Sequence, residues 1–251
     1  LAARLGGGHV TLQHPEYLDV PSLSRSIEGV SELRARAERD RDVTRTVTRI
    51  TGQAMIASAR EAHGATFVAI DPTDEDSASL SLLGSLVHGT GFETQRGHGV
   101  ILGERLAHSL GVELGKKVVY TLTDKRGEVT SGLVWVSDLV RTGSDDVDAS
   151  VCLLPIGAVR GVLGYGPDES TLVAAFIGDQ RRSAAVAERL SVDMPASVIA
   201  LPWPRTQPDL AAFIKMKVSS TRIFELIIAL LVAAGIFNTI FVSVMERTRE
   251  F

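Results

Sequence analysis

Twenty consecutive uncharged residues, Leu226 to Met245, run into the cluster Glu246-Arg247-Thr248-Arg249-Glu250 near the end of a 251-residue chain. A helix rises about 1.5 Å per residue, so a run of this length covers the roughly 30 Å hydrocarbon core of a bilayer. The sequence before it reads as water-soluble, and the expectation is an extramembranous domain joined to a membrane span. The competing reading is a helix buried at the centre of a globular domain. Such a helix usually keeps a polar stripe, whereas only Asn238, Thr239 and Ser243 interrupt the later part of this one. Gly235, Thr239 and Ser243 recur every fourth residue, a small-residue face on which a second transmembrane helix can approach closely. Asn238 lies on the same side and prefers an interhelical partner to lipid, so these four are the expected packing residues.

Flanking charge leaves the orientation open, with Lys215, Lys217 and Arg222 at one end and Arg247 and Arg249 at the other. The opening LAARLGGG lacks the apolar core of a secretory signal, so a domain outside the cytoplasm is expected to be carried there by something upstream. A net charge of −4 and the absence of a basic stripe interleaved with aromatics argue against a nucleic-acid partner. The cluster Arg34, Arg36, Arg39, Arg41, Arg45 and Arg49 is broken by Glu32, Glu38, Asp40 and Asp42, which reads as a mixed-sign solvated face. Cys152 is the single cysteine, flanked by Val151 and Leu153, and reads as a buried strand residue.

The pattern along the chain is mixed α and β. Strands are predicted at Val10 to Gln13, Gln53 to Ala59, Ala65 to Ile70, Val100 to Leu102, Ala149 to Leu153, Thr171 to Ile177 and Ala196 to Leu201. A hairpin is predicted from Lys116 to Val140 around Asp124-Lys125-Arg126-Gly127. A helix is predicted to start over Pro21 to Glu28, and others at Glu104 to Leu110 stopped by Gly111, at Ile156 to Leu163 and at Gln180 to Leu190. The stretch Glu32 to Ile50 alternates only weakly. Thr73 to Ser81, acidic and serine-rich, reads as a boundary, and Gly143 to Asp148 as an acidic loop. A last helix is expected to run unbroken from Pro208 to Met245, about 57 Å and longer than a membrane is thick.

Catalytic constellations are missing from the sequence. There is no G-x-S-x-G elbow, no H-E-x-x-H pair and no G-x-x-x-x-G-K-[ST] phosphate loop, so no catalytic, cofactor-binding or metal-ligating residue is expected. The six histidines are scattered without ligand spacing, and Asp145, Asp146 and Asp148 lack the distal glutamate of a calcium loop.

Several stretches, taken together, resemble the permease subunits of ABC transporters in the FtsX/MacB superfamily, most closely the lipoprotein-releasing (LolC/LolE-like) permeases. Gly8-His9-Val10-Thr11-Leu12-Gln13 with Pro15-Glu16-Tyr17 is similar to the opening of their periplasmic domain, and Phe67-Val68-Ala69-Ile70-Asp71-Pro72 to a "G-I-D-P" strand end whose glycine is displaced here. The most specific segment is Gly99 to Ala107 with Leu110-Gly111-Val112 and Gly115, similar to "viiGexlAxxLgvxxGdxv", with Lys116 where an acidic residue is common. Gly235 to Thr239 and Met245 to Glu250 resemble the second span and its "ER-x-REI" exit, with Phe251 in place of the aliphatic residue.

The resemblance implies an α+β fold. A two-lobed periplasmic domain, a split βαβ porter-like lobe (1–72 and 165–207) with an inserted sabre-like mixed lobe (73–164), precedes a stalk and transmembrane helix (208–245) and the start of a cytosolic coupling segment (246–251). It implies a bacterial inner-membrane permease without catalytic activity of its own, with residues 1 to about 222 outside the cytoplasm. The implied partners are membrane lipid, a cytosolic ABC ATPase dimer, a second permease subunit and a periplasmic lipoprotein carrier or hydrolase. Glu246, Arg247, Arg249 and Glu250 are the implied ATPase-coupling residues, because charge-assisted hydrogen bonds need both signs at fixed geometry; a plain juxtamembrane charge cap is the alternative. Extraction or release of lipoproteins or other envelope substrates is the implied activity. Since the turn at Arg160 to Ser170 is short and glycine-rich, an FtsX-like non-transporting transmitter and a MacB-like efflux permease stay open beside it.

Overall fold

The computed structural model describes residues 6–89, 91–92 and 97–248, with the side chains of 239, 242–244 and 246–248 left aside. The chain divides into two compact units, Leu1–Thr206 and Gln207–Phe251.

The first unit is built on eleven strands: β1 (Val10–Gln13), β2 (Ile27–Glu28), β3 (Val43–Ala57), β4 (Ala62–Ile70), β5 (Gly99–Gly103), β6 (Lys117–Thr123), β7 (Val129–Val140), β8 (Val151–Pro155), β9 (Glu169–Ser170), β10 (Leu172–Ile177) and β11 (Ile199–Pro202). Its helices are α1 (Val30–Ala37), α2 (Glu104–Leu110), α3 (Asp145–Ser150), α4 (Ile156–Leu163), α5 (Ser183–Asp193) and the single turn α6 (Trp203–Thr206). Nine strands form one sheet in the order β11-β1-β10-β3-β4-β8-β5-β7-β6, and β2 with β9 makes a separate two-stranded ribbon.

The long strand β3 organises the rest. Its sequence Val43-Thr-Arg-Thr-Val-Thr-Arg-Ile-Thr51 is dense in β-branched residues, which favour extended backbone. The first half pairs with β10, the whole of its second half with β4, and its last residues, Met55–Ala57, with Thr121–Val119 of β6. That last pairing brings the end of the sheet back onto β3. The six strands β3-β4-β8-β5-β7-β6 therefore close into a barrel-like ring, and a closed ring leaves no edge to protect.

Period-2 alternation decides which side chains fill the ring. Ala54 and Ile56 of β3, Phe67 and Ala69 of β4, Val100 and Leu102 of β5, Tyr120 of β6, Val136 of β7 and Cys152 and Leu154 of β8 share one core with Leu106 and Leu110 of α2 and Val159 and Leu163 of α4. Burial pushes the Cys152 thiol up to about 12, so it is a packing residue. At the open end of the sheet the same face is covered by α1 and α5, whose Leu33, Val186 and Leu190 pack on Val10, Leu12, Val173 and Ala175. The opposite face carries Val68, Ile70, Ile101 and Leu153, and lies under Leu80 and Leu82 from the segment after β4.

Several expectations need correction. Pro21 does not begin a helix: the chain turns through 17–25 into β2, and helix starts at Val30, after Gly29 in the left-handed region (φ 68°). The weakly alternating stretch to Ile50 is α1 followed by β3, and β3 absorbs the separate strand expected at Gln53 to Ala59. Gly143 to Asp148 is partly helical, because α3 spans Asp145–Ser150, and the next strand starts only at Val151. The last strand begins at Ile199 rather than Ala196. The arginine cluster is not a solvated face throughout, since Arg49 is completely buried. Helix α2 ends at Gly111 in the left-handed conformation (φ 63°), as the glycine there requires.

The second unit is a single helix, α7 (Pro208–Thr248), 41 residues long. Proline at its first position suits a helix start, where the missing N–H is unneeded.

Candidate functional site

Helix α7 carries the expected functional residues. Pro208–Asn238 is long and apolar enough to cross a membrane, and none of its most apolar window is buried against protein. Phe224, Leu226, Leu230, Leu231 and Phe237 are all more than half exposed. A core helix of a soluble domain hides such side chains, so the reading of α7 as the centre of a globular domain does not fit. At 41 residues the helix is about 61 Å long, roughly twice the hydrocarbon thickness.

Gly235 and Asn238 lie on α7 and are exposed, one turn apart on one side; Thr239 and Ser243 continue that side along the helical backbone. Glu246 and Arg247 fall in its final turns, while Arg249, Glu250 and Phe251 lie outside the described residues. The helix thus lines up Gly235, Asn238, Thr239 and Ser243.

Two charged clusters in the first unit escaped the sequence reading. In the first, Arg49 is buried with Glu75. Its Nε donates to Oε1 at 2.6 Å and its Nη2 to Oε2 at 3.0 Å, a bidentate pair with both side chains fully buried. Arg49 Nη2 also donates to the Ser79 carbonyl at 3.0 Å and Nη1 to the Gly6 carbonyl at 2.5 Å, while the Ser79 hydroxyl donates to Glu75. Around this pair Arg34 meets Asp74 at 2.5 Å and Arg45 meets Asp76 at 2.7 Å. The Arg45 guanidinium, helped by the Ser79 and Ala78 N–H groups, lowers the Asp76 carboxyl to about 2. The residues 73–81 that read as a boundary are therefore held against β3.

In the second cluster Glu169 of β9 accepts from Lys125 Nζ at 2.5 Å, from the Gly166 N–H at 2.9 Å and from the Ser26 hydroxyl. Lys125 sits in the turn between β6 and β7, so this contact ties the hairpin tip to the β2–β9 ribbon. Burial raises the Glu169 carboxyl, but Lys125, Ser26 and Gly166 outweigh it and leave the group below its ordinary value. Lys125 is raised in turn, chiefly by its hydrogen bond to Glu169.

A cleft of about 520 Å³ is lined by Tyr17, Leu23, Thr51, Gln53, Thr66 and Thr123, none of them charged. A smaller one, of about 120 Å³, carries Arg34, Arg160, Asp71, Asp74 and Asp168. Among the described residues, no three histidine, cysteine or carboxylate side chains are grouped as a metal site needs. The distinctive segment Gly99 to Ala107 has a physical basis at Gly103, where a Cβ would collide with the Asp148 main chain at the start of α2. Only glycine permits that approach.

With this topology in view, the chain is similar to solved structures that include the following two. The extracellular domain of the noncanonic ABC-type transporter YknZ from Gram-positive bacteria aligns over 76% of this chain and 98% of its own, with a TM-score of 0.51 and 14% identity. The periplasmic region of MacB from Actinobacillus actinomycetemcomitans aligns over 86% of this chain and 94% of its own, with a TM-score of 0.50 and 14% identity. This chain shares their fold. The expected α+β class, with a long apolar C-terminal helix, is borne out. No protein-family model and no curated protein matches the chain.

Proposed function

We propose that this chain is the extracytoplasmic domain and the following membrane span of a permease subunit in an ATP-driven ABC-type transporter of the bacterial plasma membrane. The observation that carries the reading is the shared fold with two extracytoplasmic domains, one of them from a protein named as an ABC-type transporter. The unburied apolar helix α7 supports it. On this reading residues 1 to about 222 lie outside, and energy comes from an ATPase on another chain or domain. The lobes 1–72 with 165–207 and 73–164 share β3 and β4 as common struts. A second permease subunit packs against Gly235, Asn238, Thr239 and Ser243. Glu246, Arg247, Arg249 and Glu250 engage the ATPase, and α7 relays its movement to the outer domain. The cargo is a lipoprotein or another envelope substrate. A MacB-like efflux permease is the second reading, favoured by the likeness to the MacB periplasmic region.

Cysteine accessibility in intact cells tests the topology. A membrane-impermeant maleimide is expected to label Val129→Cys, which is 77% exposed on the outer domain, and to spare Arg247→Cys until the cells are permeabilised. Equal labelling of both in intact cells rejects the reading. Glu246→Ala with Glu250→Ala is expected to abolish transport while the outer domain stays folded, and wild-type transport in that double variant removes the coupling role.

A further inference from the structure

The segment 71–86 crosses the sheet on the face away from α1 and α5 and is fastened at both ends by different means. At its start, three consecutive carboxylates meet three arginines from two elements: Asp74 with Arg34 of α1, and Asp76 and Glu75 with Arg45 and Arg49 of β3. In its middle, Leu80 and Leu82 are buried on Ile70 of β4, Leu153 of β8, Ile101 of β5 and Val140 of β7. At its end, the Arg141 N–H donates to the Ser85 carbonyl at 2.9 Å, the Val87 N–H to the Leu139 carbonyl at 2.8 Å, and Leu86 bridges to Val140. Just beyond, the buried Asp138 carboxylate accepts from the N–H groups of His88 at 3.1 Å and Gly91 at 3.2 Å.

A loop that only filled a groove would need its leucines and little else. This one places a buried bidentate ion pair at one end and a strand-like set of main-chain bonds at the other, with three strands between them. Sheet register already links β3 to β7 through β4, β8 and β5. The other side of the ring links them through β6, and the segment is a further link that does not run through the sheet.

We propose that residues 71–86 form a charge-fastened strap that couples the helix-covered end of the domain to β7, so that loosening its ionic end releases its distant main-chain end. This rests on the relay role given to the outer domain above, and it names the element through which motion crosses that domain. The outer pairs form the accessible part of the fastening, because Asp76 and Asp74 keep 55% and 37% of their side-chain surface exposed. The Arg49–Glu75 pair beneath them is sealed.

The test is hydrogen exchange on the full-length protein in nanodiscs. Arg45→Gln with Asp76→Asn removes one outer pair without stranding a charge. Exchange of the Val87 and Arg141 amides is expected to accelerate at least tenfold, while the hairpin amides of Val119 and Leu133 keep their wild-type rates. Exchanging the charges, Arg45→Asp with Asp76→Arg, is expected to restore protection. Unchanged exchange at Val87 and Arg141 overturns the proposal, as does an equal acceleration in the hairpin, which reports general loosening. ATP-driven transport by the same samples is a separate readout. Its absence in the wild-type protein strikes the permease reading, whereas the exchange pattern tests the strap with or without an ATPase.

Discussion

The two ends of the nine-stranded sheet deal with exposed surface in opposite ways. At one end the ring β3-β4-β8-β5-β7-β6 closes on itself. Its outward face lies under Leu80 and Leu82 over β4, β8 and β5 but is bare around the β3–β6 closure, where Met55, Val119, Leu133 and Trp135 are each at least a third exposed. At the other end β11 remains an edge strand, and α1 and α5 cover one face from outside the sheet. Closure relies on apolar filling and close backbone approach. Where the ring meets the open end the fastening relies on charge, because the start of the strap is acidic and the first half of β3 is rich in arginine. The lesson is that one strand, β3, serves both solutions by alternating in character along its length: Arg45 and Arg49 near its start, Ala54 and Ile56 near its finish.

The sharpest way to break this contrast is to strand one buried charge. Glu75→Gln leaves the Arg49 guanidinium sealed without its carboxylate, and removing one member of a buried pair typically costs about 3–5 kcal/mol. The loss is read by urea denaturation, and Arg49→Met with Glu75→Leu is expected to regain most of it. An unchanged midpoint for Glu75→Gln would mean that charge does not fasten the strap to β3.

The ring should break through volume instead. Gly132→Val drives a side chain into the Tyr120 ring, its cross-strand partner, and overpacking of this kind costs about 1–3 kcal/mol. Thermal unfolding measures it, and the same substitution in a Tyr120→Ala background should cost much less. Equal losses in both backgrounds would place the clash elsewhere.

Lys125→Met probes the tie between hairpin and ribbon. Glu169 keeps only 5% of its side-chain surface exposed, so losing the cation is expected to cost about 1–2 kcal/mol at pH 7. The Glu169 carboxyl lies below its ordinary value in the folded protein, so its contribution is present above the unfolded carboxylate range and fades as pH falls through it. The penalty of Lys125→Met should therefore shrink on acidification. A penalty that stays constant from pH 7 to pH 3 would show that Lys125 acts by packing alone.

The smallest effect belongs to Asp76→Asn. Its folded value of about 2 is below the ordinary aspartate value, so its stabilisation is complete above about pH 4 and disappears towards pH 2. Because the side chain is 55% exposed, solvent screening keeps this to about 1 kcal/mol or less. Guanidinium titrations at pH 7 and pH 2.5 should show the variant and the wild type converging at the lower pH.

Much of the fold was legible because its signals are local. Gly111 stops α2, the turn at Asp124-Lys125-Arg126-Gly127 joins β6 to β7, and the uncharged run ends a continuous α7. The charged fastening on β3 was illegible for a reason visible in Arg45 and Arg49. In isolation they make β3 look polar and solvated, and their partners Asp74, Glu75 and Asp76 look like a linker. Only the fold brings the two stretches together, and complementary charge separated by about thirty residues leaves no periodic trace. Along α7 the spacing of Gly235, Thr239 and Ser243 is a sequence fact, and the continuous helix keeps them on one side of its backbone. The Lys125–Glu169 contact, joining a turn to a two-residue strand, could not be read from spacing.

The return of β6 to β3 bears on how the molecule assembles. Met55 must find Thr121, and β8, synthesised later still, is the piece that fits between β4 and β5. Contacts so distant in sequence demand loop closure before they reward it, which slows folding. The ring is therefore expected to shut late, after Pro155 has left the ribosome, and until then Phe67 and Val100 stay open to holding by chaperones.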